Sequence, residues 1–117
     1  MKPDRIASYI GLAMKAGRAA SGEFAVEKSV KEGKAEAVII STDASDNTKK
    51  KFYDMCRFYQ VPVFEYLEKE TLGHIVGREL RSCVSVNDAG LAKAILKVNN
   101  EENQRNKVNT EWMKIKK

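Results

Sequence analysis

The sequence predicts an α/β domain with a sheet of about four strands between two helical layers. Three observations carry this. Apolar stripes at helical spacing alternate along the chain with short runs rich in β-branched residues. The joints between them are too short to hold a second domain. At 117 residues the chain is the size of one domain with a single modest core.

Pro3 and Asp4 open the first helix, since proline suits a first turn and an acid suits the positive end of the dipole. Ile6, Tyr9, Ile10, Ala13 and Met14 form its apolar stripe, and Gly17 ends it. Arg18, Ala19, Ala20 and Ser21 make a short extended piece. Residues 21–33, SGEFAVEKSVKEG, hold the next helix, with Gly22 as N-cap and Gly33 just past the end. Ala25, Val26, Ser29 and Val30 share one side of it, while Phe24, Lys28 and Lys31 project on the other.

Residues 35–41, AEAVIIS, read as a central strand buried on both faces. Residues 42–45 turn the chain and Ser45 caps a helix that runs to about Tyr59. Thr48, Phe52, Met55, Cys56 and Tyr59 are expected on its core side, and Lys49, Lys50 and Lys51 fan around its first turns. Three like charges at the positive end of a helix suit either an anion site or, more commonly, a solvated face. Residues 61–66 read as a second strand, with Pro62 at its start or on an edge. Residues 71–77 read as a short helix with Leu72, Ile75 and Val76 inward. A polar loop with one apolar residue, Leu80, leads to the last strand, residues 83–86. Asn87 and Asp88 then cap a helix with Leu91, Ile95 and Val98 inward. Residues 99–117 turn polar and basic, with Trp112, Met113 and Ile115 near the end. This tail is expected to be loosely ordered, or to hold a helix that docks on a partner.

Net charge is +5 and the pI near 9.2, enough to permit nucleic-acid binding without requiring it. Residues 1–98 hold sixteen Lys and Arg against thirteen Asp and Glu. Any binding face must therefore come from local clustering. No apolar stretch has the length of a membrane span, and the first residues lack the pattern of a signal peptide. Cys56 and Cys83 each lie in an apolar pattern and read as reduced, buried thiols, which fits a cytoplasmic protein.

Little points to catalysis. His74 is the single histidine and has no ligand-spaced Cys or His near it. Phosphate-binding glycine motifs are absent from the sequence, and neither cysteine has a His partner in its motif. Asp43 and Asp46 follow a strand, where an α/β active site could lie, but turn formation and helix capping suit them better. No enzyme activity and no cofactor are expected.

The remaining constellation joins the helix start at Gly22, Glu23 and Phe24 with the loop Arg78, Glu79, Leu80, Arg81 and Ser82. The first offers unpaired backbone N–H groups for a phosphate, a ring to stack a base, and Lys28 and Lys31. The alternative is an ordinary amphipathic helix whose Phe24 packs on a neighbouring loop. The second offers Arg78, Arg81 and apolar Leu80, a mixture suited to an unstacked base of a folded RNA. Both could lie at one edge of the sheet.

Three stretches here, in this order and spacing, resemble a known family. They are the helix start 22–28 followed by Val30 and Gly33-Lys34-Ala35; Ala37-Val38-Ile39-Ile40-Ser41-Thr42-Asp43; and Leu72-Gly73-His74-Ile75-Val76-Gly77. The family is that of small ribosomal proteins that bind kink-turn RNA, the L-seven-Ae/L-thirty-e type, with its bacterial YlxQ-type branch nearest. The resemblance covers about residues 4–98. It implies a three-layer α/β/α sandwich with a four-stranded mixed sheet, and RNA held between the second helix and the loop before the last strand. In the family that helix carries Asn or Lys followed by Glu or Gln, which read sheared G·A pairs. Phe24 and Ala25 stand there in this chain, and neither can form those side-chain hydrogen bonds. The resemblance therefore implies a protein that keeps the backbone-binding part and replaces the base-reading pair.

The expected partner is structured RNA, ribosomal RNA first, with ribosomal or RNA-processing proteins beside it and no membrane. A protein-interaction module on the same scaffold, and an RNA-recognition subunit for a modifying enzyme, are the alternatives. Residues 1–98 are expected to form the domain and 99–117 its tail.

Overall fold

The chain alternates helix and strand from end to end. A computed structural model describes residues 4–115, and the side chains of residues 4–102. The elements are α1 (Arg5–Lys15), β1 (Ala19–Ser21), α2 (Glu23–Lys31), β2 (Ala37–Ile40), α3 (Asp46–Tyr59), β3 (Val63–Glu65), α4 (Lys69–Ile75), β4 (Cys83–Val86) and α5 (Ala89–Ile115). The sheet order is β1-β4-β2-β3, with β4 antiparallel to both neighbours and β2 parallel to β3. The three-layer sandwich with a four-stranded mixed sheet is thus the observed fold.

Local chemistry sets most boundaries. The Asp4 carboxylate accepts the Ala7 N–H at 3.0 Å and starts α1. Ser45 accepts the Thr48 N–H at 3.2 Å and starts α3. Asp88 accepts the Leu91 N–H at 2.9 Å in the first turn of α5. β2 is buried at every position, and its side chains divide by the strand period. Ala37 and Ile39 join the core under α1, α4 and α5, while Val38 and Ile40 join the core under α2 and α3. β3 is the edge strand, which accommodates Pro62 just before it.

Three expectations need correction. α4 starts at Lys69, two residues early, because its first N–H is capped from a distant loop by Asp43 at 2.9 Å. Tyr59 is 41% exposed rather than in the core, because the α3 stripe outlasts the layer it packs on. Thr48 is half-buried and turns its hydroxyl to Ser45 and Glu23. Of the two expectations for the tail, its backbone is helical, since α5 continues through it to Ile115. Contacts of Trp112 lie outside the described side chains. Among the described residues no helix is long and apolar enough to cross a membrane.

Candidate nucleic-acid interface

β4 runs against both β1 and β2, so β1 and β2 point the same way. Their carboxyl ends share one edge of the sheet, and α2 and α3 both begin there. β4 starts at that edge, so the loop before it arrives at the same place. Open α/β sheets collect binding sites at such switch points. Three hydrogen bonds tie the edge together. The Gly22 N–H donates to the Cys83 carbonyl at 3.0 Å, and the Ser41 N–H to the Ser82 carbonyl at 2.8 Å. Arg81 Nε donates to Ser21 Oγ at 3.1 Å. The two halves of the predicted constellation are therefore in contact.

Gly22 has φ 89° and ψ 157°, a conformation that side-chain-bearing residues rarely adopt. It contributes no side-chain cap to α2. The first-turn N–H groups are left open in a way that those under Asp4 and Ser45 are not. Phe24 is 84% exposed beside them, so it packs on no neighbouring loop. Leu80 stands 56% exposed on the facing loop, beside exposed Arg78 and Glu79.

The loop is held from its other side by α4. The Arg78 N–H donates to the Gly73 carbonyl at 2.8 Å, and the Arg81 N–H to the Lys69 carbonyl at 3.1 Å. A Cβ placed on Gly73 would lie 2.6 Å from the Glu79 carbonyl oxygen. Loop backbone thus crosses α4 where only glycine leaves room. An isolated glycine inside a helical pattern was the available sequence signal for this contact.

Charge sorts the lysines. Lys31 donates to Glu27 at 2.8 Å, and Lys51 reaches the same carboxylate at 2.9 Å. Those two ammonium groups hold the Glu27 carboxyl down at about 2. Lys51 also approaches Glu23 at 4.0 Å, whose other oxygen accepts from Thr48 Oγ1 at 3.4 Å. Lys49 pairs with Glu65 at 3.1 Å and Lys50 with Asp54 at 2.9 Å. Each lysine of the triple run is therefore paired with a carboxylate of the protein itself. Lys28 and Arg78 carry no ion pair among the described residues, which leaves them available to a phosphate.

The Lys69 N–H holds the Asp43 carboxyl below its ordinary range, which suits a cap. Cys56 and Cys83 are free, buried, and pushed up to about 11 and about 12 by burial, which keeps both as inert thiols. His74 sits exposed on α4, at an open cleft of about 660 Å³ with Glu70, Arg78 and Leu80.

The match to known proteins covers most of the chain. Residues 4–96 match the profile of the ribosomal protein L7Ae/L30e/S12e/Gadd45 family. The chain belongs to this family. RNA-binding protein YlxQ of Bacillus subtilis (strain 168) is 38% identical over 87 residues, covering 74% of this chain and 87% of the relative. Large ribosomal subunit protein eL30 of Trypanosoma brucei brucei is 31% identical over 91 residues, covering 76% and 87%. A solved Bacillus halodurans C protein of unknown function superposes with a TM-score of 0.75 at 37% identity, covering 79% of this chain and 93% of that one. Within this L7Ae-type scaffold, Phe24 and Ala25 occupy the first turn of α2, the ring in water and the methyl half-buried.

Proposed function

We propose that this protein binds structured RNA without catalysing a reaction, with ribosomal RNA the first candidate and the cytoplasm its place of action. The observation that supports this most is the contact between the open start of α2 and the loop before β4. It puts the free N–H groups and Phe24 at the edge that Arg81 and Ser82 reach, with Lys28 one turn along α2 and Arg78 and Leu80 on the same loop. The N–H groups and cations hold phosphates. Phe24 stacks a base, and Leu80 with Arg78 holds an extruded one. Arg81 is the tie that keeps the loop in place. Residues 1–98 act as the binding domain, and 99–117 as its tail, α5 continuing into it as far as Ile115. The RNA-binding name of the YlxQ relatives agrees with this reading.

Phosphate contacts make affinity fall steeply with salt. Titration against total ribosomal RNA at low and moderate salt should show a salt-sensitive complex, and its absence refutes the proposal. Kink-turns are expected to bind weakly, since Phe24 and Ala25 offer no base-edge hydrogen bonds. Phe24→Asn with Ala25→Glu should raise kink-turn affinity by roughly ten- to hundredfold, the worth of one good bidentate base contact. A straight duplex of equal length is the control. Tight, selective kink-turn binding by the unaltered protein would show that the backbone contacts suffice. A protein partner that survives nuclease treatment in a pull-down, with no RNA bound, would favour the interaction-module reading.

A further inference from the structure

Five large apolar side chains stand exposed among the described residues: Leu12, Phe24, Phe58, Tyr59 and Leu80. Phe24 and Leu80 belong to the interface edge. Phe58 and Tyr59 lie at the far end of α3, and the proposed function leaves them unused. Their rings meet edge to face with centroids 4.9 Å apart, and Phe58 is 79% exposed. Exposed Arg57 precedes them.

The contacts between helices place this pair. Thr48 meets Glu23 at 3.4 Å and Lys51 meets Glu27 at 2.9 Å, so α2 and α3 advance side by side in the same direction. The aromatic pair therefore flanks the end of α2. Phe24, Lys28 and Lys31 recur at i, i+4 and i+7 along the outer face of α2. Along α2 the order is ring, ammonium, ammonium, and the Phe58–Tyr59 pair follows on neighbouring α3, beyond Lys31. At about 1.5 Å per residue α2 spans about 14 Å, the reach of two or three nucleotides.

We propose that this face is a stacking track for a single RNA strand leaving the interface at Gly22. One base stacks on Phe24 and one or two on Phe58 and Tyr59, with the phosphates between them at Lys28 and Lys31. The track rests on the RNA-binding reading above and adds to it the class of RNA: a structured element with an unpaired extension. Two observations favour RNA over a protein as occupant. Cations lie between the rings, and the face is continuous with the interface edge through Phe24. Lys31 can turn to a phosphate because Lys51 continues to neutralise Glu27. Stacking on open rings tolerates any base.

Fluorescein-labelled decaadenylate RNA is titrated into the full chain by anisotropy, beside total ribosomal RNA. Decaadenylate should bind more weakly as salt rises. Phe58→Ser with Tyr59→Ser should lower its affinity about tenfold or more, as should Phe24→Ala. The Phe58/Tyr59 variant should still bind ribosomal RNA. These side chains are exposed, so circular dichroism should match wild type. Ribosomal RNA binding without decaadenylate binding, or equal decaadenylate affinity in the Phe58/Tyr59 variant, overturns the track and leaves the interface standing. Equal RNA affinities together with loss of a nuclease-resistant protein partner also overturn it and assign the pair to a protein. Failure of the unaltered protein to bind either RNA overturns interface and track together.

Discussion

Phe24 and Gly73 lie on opposite sides of the same loop and should fail in opposite ways. Phe24 touches little of the protein, so Phe24→Ala should move stability by no more than about 0.5 kcal/mol, the usual range for surface changes. Its RNA affinity should fall by about 1–3 kcal/mol, the worth of one stacked base. Gly73→Ala puts a methyl carbon 2.6 Å from the Glu79 carbonyl oxygen, well inside contact distance. Overpacking of this kind costs about 1–3 kcal/mol, and here the yielding part is the loop that carries Arg78 and Leu80. Thermal unfolding and RNA titration of both variants separate the roles. A Gly73→Ala protein with unchanged melting temperature and RNA affinity would show that the loop is not seated on α4 as described. Phe24 was visible in the sequence as an apolar residue on a polar helix face. The Gly73 contact was signalled only by an isolated glycine in a helical pattern, because no periodicity reports which backbone crosses a helix.

The two helices that begin at the interface are clasped to each other by charge. Glu27 lies between Lys31 and Lys51, and its carboxyl is held at about 2 against an ordinary 4.5. Its folded pKa is the lower one, so its stabilisation is complete above 4.5 and fades as pH falls toward 2. Glu65, held down by Lys49 and then Tyr53, and Asp43, held down by the Lys69 N–H, act in the same direction. Acid titration monitored by circular dichroism should show stability falling through that window. In Glu27→Gln the fall should be shallower, starting from a less stable protein at neutral pH. An identical pH profile in the variant would remove the clasp from the account. Helix and strand existence followed from periodicity, and β2 from its β-branched run. The α4 start and the Tyr59 exposure did not follow. The Asp43 cap comes from 26 residues away, and the apolar stripe on α3 continues past the end of its packing layer.

At the scale of the molecule, layer order was legible from alternation alone, but the meeting of Gly22 with residues 78–82 needed the position of β4. Nothing local in the sequence says that the last strand inserts between the first two. That insertion has a kinetic consequence. Cys83 is the first residue of β4, is fully buried, and accepts the Gly22 N–H through its carbonyl. Its thiol, pushed up to about 12, cannot react with an alkylating reagent while this corner stays closed. Labelling must wait for the β1–β4 corner to breathe, so its rate is a clock for local opening at the interface. In a Cys56→Ala background, bound ribosomal RNA should slow that clock, whereas Gly22→Ala should speed it by straining the same hinge. A labelling rate that instead tracks global unfolding in urea would mean that the edge opens only when the whole sheet does. The recognition surface would then be as rigid as the core beneath it.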